Sequence, residues 1–115
     1  MKTKVKQLTF DNFPEKIETP SVILFSRENC HFCKELKPIY NKISLDKKYE
    51  DIYDFYIVDA DEEELLYEKF SPDGVPTIYV VYEDDGVEIP YPKSPPPSGY
   101  GKEDIEKFLD KLMED

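Results

Sequence analysis

A chain of 115 residues with 39% hydrophobic and 14% aromatic side chains can close one core but not two, so residues 1–115 are expected to form a single domain. Its 26 acidic against 15 basic side chains leave a net charge of -11, which argues against nonspecific binding to nucleic acid or anionic membrane, because both are polyanions that need a basic patch. No apolar run is long enough to span a bilayer, and the basic start at Lys2, Lys4 and Lys6 lacks the apolar centre of a secretory signal. The cytoplasm is the expected location.

In chain order, Val5 to Thr9 reads as a first strand, after which Asp11 or Asn12 offers a cap for a short helix through Phe13, Pro14 and Ile17. Thr19-Pro20 would end that helix. Val22-Ile23-Leu24-Phe25 is apolar without alternation, as in a strand buried on both faces. From His31, apolar residues recur at Phe32, Leu36, Ile39, Tyr40 and Ile43, the spacing of one helical face. That pattern predicts a helix over about residues 31–45, with a kink at Pro38.

Ile52 to Val58 reads as a strand, and Glu62 to Phe70 as a short helix whose acidic start suits the helix dipole. After the turn at residues 71–74, Thr77 to Tyr82 predicts a strand, Glu83 to Gly86 a hairpin turn, and Val87 to Tyr91 the returning strand. Pro90 to Gly101 holds five of the ten prolines and reads as a stiff connector with a polyproline II centre. A last amphipathic helix follows through Ile105, Phe108, Leu109 and Leu112. The order predicts an α/β sandwich of three layers, with a mixed sheet of about five strands between about four helices.

Chemistry concentrates at Cys30-His31-Phe32-Cys33, which contains both cysteines of the chain and falls on a strand-to-helix turn. Two thiols at that spacing can close a small disulfide ring, so redox exchange is the leading expectation. A zinc or iron–sulfur site would need four ligands, and two cysteines with one histidine supply too few. No metal or other cofactor is expected.

The order of elements and three short motifs resemble the thioredoxin superfamily. The motifs are Leu8-Thr9-Phe10-Asp11-Asn12-Phe13, Cys30-His31-Phe32-Cys33-Lys34 with Pro38 in the same helix, and Gly74-Val75-Pro76-Thr77. The resemblance covers nearly the whole chain and implies a thiol-disulfide oxidoreductase, with a cis Val75-Pro76 bond facing the active disulfide. A glycine before the last helix, Gly99 or Gly101, also fits. Locally, residues 25–33 also resemble glutaredoxin, but the Gly-Gly-Asp glutathione motif is not seen after Val81.

The departures are specific. Thioredoxins proper carry Trp-Cys-Gly-Pro-Cys, whereas Asn29 precedes the first cysteine here and the inner pair is His-Phe. Leu24 stands where thioredoxins bury an aspartate. Neither Phe55 nor Ile57 supplies the lysine that accompanies it.

A free thiol has a pKa of about 8.5, and Cys30, placed where a helix begins, is expected to be acidified by unpaired N–H groups and the dipole. Cys33, one turn on, is expected to stay protonated until it resolves the mixed disulfide. His31 would stabilise the thiolate as an imidazolium, or would simply be exposed. Phe32 reads as packing or as a rim of the substrate groove. By the resemblance, Pro76 covers the disulfide and the Val75 backbone pairs with an extended substrate segment. The implied partners are disulfide-containing proteins and an electron-donating reductase, with a monomer as the working unit. The competing class is a thioredoxin-fold module that binds partners without catalysis.

Overall fold

The architecture is built around β2 (Ile17–Ser26), whose residues Val22 to Phe25 are wholly buried. Val22 and Leu24 join one core cluster while Ile23 and Phe25 join the other, so successive side chains enter opposite layers. That is why the run is continuously apolar. The computed structural model describes residues 4–13, 17–70, 72, 74–83, 85–90 and 96–114.

The sheet has five strands in the order β1-β3-β2-β4-β5. Besides β2 these are β1 (Val5–Gln7), β3 (Asp54–Asp59), β4 (Thr77–Glu83) and β5 (Asp85–Glu88). β1 and β2 both run parallel to β3, whereas β4 runs antiparallel to β2 and to β5. Leu24 sits level with Ile57 on β3 and with Ile78 on β4.

Helices α1 (His31–Ser44), α2 (Glu64–Phe70) and α3 (Lys102–Glu114) complete the fold, with a single 3-10 turn at Lys47–Tyr49. Leu36, Tyr40 and Ile43 of α1 and Ile105 and Leu109 of α3 pack in the cluster that contains Leu24. Leu66 of α2 packs on the opposite face with Ile23, Phe25 and Val58. Pro38 lies inside α1, which runs unbroken through it. The Tyr40 hydroxyl reaches the carbonyl oxygens of Val22 and Tyr56, at 2.9 and 2.7 Å, and so ties α1 to two neighbouring strands.

The mixed five-stranded sheet agrees with the thioredoxin fold, but among the described residues there are three α-helices rather than about four. Of the helix expected after Asn12, residues 14–16 lie outside the described residues, and Ile17 belongs to β2. Asn12 instead closes a loop with Thr9, accepting its N–H at 2.8 Å and donating its own to the Thr9 hydroxyl at 3.2 Å. Ile17 to Pro20 belong to β2: Ile17 pairs with Glu83, and the register shifts between Ile17 and Ser21, around Pro20, which has no N–H to give the ladder. β-branching at Ile17 and Thr19, and the bias of a residue before proline toward extended backbone, favour strand here.

The hairpin also turns earlier than expected. Tyr82 pairs with Asp85 and Val81 with Gly86, so Asp85 and Gly86 lie in the returning strand, and Asp84 is outside the described residues. Most of the proline-rich segment, residues 91–95, is likewise outside them. Its described end turns at Gly99, whose N–H donates to the Pro96 carbonyl at 2.8 Å.

Candidate active site

β2 ends at buried Ser26, and residues 27–29 turn the chain into α1. Cys30 is the N-cap of that helix, with extended backbone at φ -119 and ψ 114. Its Sγ accepts the backbone N–H of Cys33 at 3.2 Å, the role usually filled by a serine or aspartate oxygen. Cys30 is partly exposed, whereas Cys33 is completely buried, and both are free thiols.

Burial is the main cause that pushes the Cys33 thiol up to about 12, followed by its hydrogen bond to Cys30. A backbone group of Arg27 and the charge of Lys37 act in the opposite direction. Leu24 is wholly buried between Ile57 and Ile78.

The segment opening β4 forms the opposite wall. The Val75-Pro76 bond is cis, and the Val75 carbonyl oxygen lies 3.9 Å from Cys30 Sγ. Pro76 is buried, and Thr77 Oγ1 donates to the Gly74 carbonyl at 2.6 Å, pinning the turn that presents it.

A third wall comes from the residues before α3. Gly99 adopts φ +80, and a Cβ there would fall 3.0 Å from Pro76 Cγ and 3.3 Å from Phe32 Cβ. Only a residue without a side chain fits that approach. Ser98 Oγ donates to the Tyr100 carbonyl, and the Tyr100 hydroxyl donates to the Ile89 carbonyl, which fastens this segment to the core.

Of the residues singled out from sequence, Cys30, Phe32, Cys33, Val75 and Pro76 meet at this one place. His31 is exposed, and its ring centre lies 6.0 Å from that of Phe32, which keeps 37% of its surface open. Asp59, the last residue of β3, serves the chain itself, since its Oδ1 accepts the N–H groups of Asp61 and Glu62. Among the described residues, no group of three or more His, Cys, Asp or Glu side chains is arranged to hold a metal. The approach of Gly99 and the placement of Lys37 were not anticipated as site features. The spacing of Lys37 four residues after Cys33 was the available signal for the second.

A dithiol at a helix N-terminus, faced by a cis X-Pro bond and carried on this mixed sheet, defines the thioredoxin-fold class. The comparisons agree. The family model described as Thioredoxin matches residues 4–110, and the chain belongs to that family. A curated relative, a thioredoxin of Borreliella burgdorferi, is 39% identical over 64 residues; the match covers 56% of this chain and about half, 53%, of the relative. Among solved structures, the Malassezia sympodialis thioredoxin Mala s 13 superposes with a TM-score of 0.73 at 20% identity, covering 96% of this chain and 91% of that one. ERdj5 superposes with a TM-score of 0.80 at 20% identity, covering 97% of this chain and 14% of its own. At that identity these two establish the fold alone.

Proposed function

We propose that the chain is a thiol-disulfide oxidoreductase that reduces protein disulfides by cycling Cys30 and Cys33 between dithiol and disulfide. The observation that carries this reading is the pairing of a partly exposed cysteine, Cys30, whose Sγ accepts a helix N-terminal N–H, with a buried protonated one, Cys33, a single turn along the helix. An N–H aimed at Cys30 favours negative charge on that sulfur. The Cys30 thiolate attacks a substrate disulfide and releases one substrate thiolate. Cys33 then loses its proton and attacks Cys30 Sγ, expelling the second substrate sulfur. The unit is a monomer working in a reducing compartment, the cytoplasm, where a separate reductase returns it to the dithiol.

Val75 and Pro76 line the substrate groove in this reading, with Phe32 and Gly99 as its far rim. An extended peptide beside Val75 would lay its disulfide against Cys30. His31, exposed and next in sequence to Cys30, is the redox-tuning residue in this reading.

The test is insulin reduction by dithiothreitol, followed by turbidity, with wild type beside Cys30→Ser. Wild type should accelerate precipitation and the variant should not; equal rates would falsify the catalytic reading. A second reading, a binding module without turnover, is favoured by Leu24, which stands where thioredoxins proper bury an aspartate, and by its neighbour Ile57, which is not the lysine that accompanies it. It predicts equal insulin rates for the two chains.

A further inference from the structure

Four large apolar side chains that water reaches, Ile52, Tyr82, Val87 and Met113, meet around one groove of about 320 Å3, with Pro20 and Val80 also in its lining. Singly such residues are ordinary surface, but gathered in one concavity they mark a place of contact. Val87 keeps 46% of its surface open and Tyr82 42%. The groove lies away from the dithiol: Pro20 and Ser26 are about 20 Å apart along β2 at strand spacing, and Ser26 is the end that leads to Cys30.

β5 borders this groove through Val87. It ends the sheet and pairs with β4 alone, so no described segment bonds to its outer edge. Val87 stands level with Val80, which lines the groove, while Glu88 stands level with Tyr79, which packs in the cluster on the opposite face. A strand laid along β5 would therefore set alternate side chains beside the groove and beside exposed Glu88. Charge around the groove is one-sided. Asp51, Glu88 and Glu114, each next in sequence to a lining residue, are exposed and form no ion pair among the described residues, and Lys111 is the single base so placed. The polar cleft that shares Tyr53 with the groove adds no net charge, since Lys4 and Lys6 stand there with Glu50 and Asp54.

We propose that the groove and the free edge of β5 dock an extended partner segment of alternating apolar and basic side chains, which adds to the five-stranded sheet as a further strand. Its apolar residues enter the groove beside Val87 and Met113, and its basic residues meet Glu88 and the acidic rim. A second copy does not fit the charge. Antiparallel pairing of two β5 strands about a two-fold axis sets Asp85 of one level with Glu88 of the other, and each chain carries a net charge of -11. Docking there leaves Cys30 uncovered and does not depend on the redox reading.

The test is fluorescence anisotropy of a labelled peptide, Lys-Val-Lys-Val-Lys-Val-Lys, titrated with the full chain, beside a peptide of the same residues in block order, Lys-Lys-Lys-Lys-Val-Val-Val. Both carry the same charge, but only the first presents one apolar face as a strand, and it should bind about tenfold more tightly. Val87→Lys and, from α3, Met113→Lys should each weaken it about tenfold, and raising salt from about 50 to about 300 mM should weaken it several-fold. Absence of saturable binding overturns the proposal. Equal affinity of the two peptides does so too, since that reports attraction to net charge alone, as does full affinity in both variants. A wild-type dimer in sedimentation equilibrium that Val87→Lys dissolves would assign the groove to a second copy and overturn it as well. Insulin reduction should keep its rate at saturating peptide; inhibition would place the peptide at the dithiol and overturn the docking site. A chain inactive with and without peptide would overturn the redox reading instead, leaving the anisotropy result to decide the docking.

Discussion

Gly99 lies against the ring of Pro76 so closely that a Cβ on it would stand 3.0 Å from Pro76 Cγ. The contact joins the loop before α3 to the wall that faces Cys30, and the same Cβ would crowd Phe32 at 3.3 Å. Two of the three walls of the site therefore meet at a residue with no side chain.

Replacement of Gly99 by alanine is expected to cost about 1–3 kcal/mol, from the positive φ and from displacement of Pro76 or Phe32. Insulin reduction should fall with it, because the loop can relieve the contact only by moving off the groove. Gly86→Ala is the matched control: its Cβ would meet Val81 Cγ2 at an ordinary 3.7 Å, and a change within about 0.5 kcal/mol is expected. Urea unfolding of the three chains measures both. Equal stability of Gly99→Ala and wild type would contradict the packing described here.

Leu24→Asp places a carboxylate where thioredoxins proper carry one, but without a partner. Its site is wholly buried, level with Ile57 and Ile78. An unpaired buried charge should destabilise the chain by about 3–5 kcal/mol at neutral pH, with part of that recovered in acid as the carboxyl protonates. Thermal melts at pH 5 and pH 8 would test it. A variant as stable as wild type at both would show that the position is better hydrated than its burial indicates.

The raised Cys33 thiol sets a direction for alkaline stability. Below about pH 9 the thiol is protonated in folded and unfolded chains alike. Between its ordinary 9.0 and the folded value of about 12, only the unfolded chain ionises, so unfolding releases a proton and stability falls as pH rises. Tyr40, Tyr49, Tyr53 and Tyr56 are also raised, chiefly by burial, and add the same slope above their ordinary 10.0. The tyrosines contribute equally to wild type and Cys33→Ser, so the difference between those two chains isolates the thiol. Urea midpoints taken from pH 9 to 10 under reducing conditions should fall more steeply for wild type than for Cys33→Ser, and parallel slopes would count against a buried protonated Cys33.

Much of this molecule could be read from its residues in order. The unbroken Val22 to Phe25 run marks a strand buried on both faces, and the recurrence at Leu36, Ile39, Tyr40 and Ile43 marks one helical face, because periodicity reports burial directly. Cys30 and Cys33, two residues apart at the strand-to-helix junction, needed no tertiary knowledge to be placed one turn from each other. Where local signals competed, tertiary pairing decided: Asn12 looked like a helix cap but bonds Thr9, and Ile17 to Pro20 lengthen β2 because β4 extends far enough to pair with Ile17. The arrival of Gly99 at Pro76, and of Ile52, Val87 and Met113 at one groove, depends on chain segments far apart in sequence. Periodicity carries no information about such distances. They exist only once the sheet has closed and the helices have packed upon it.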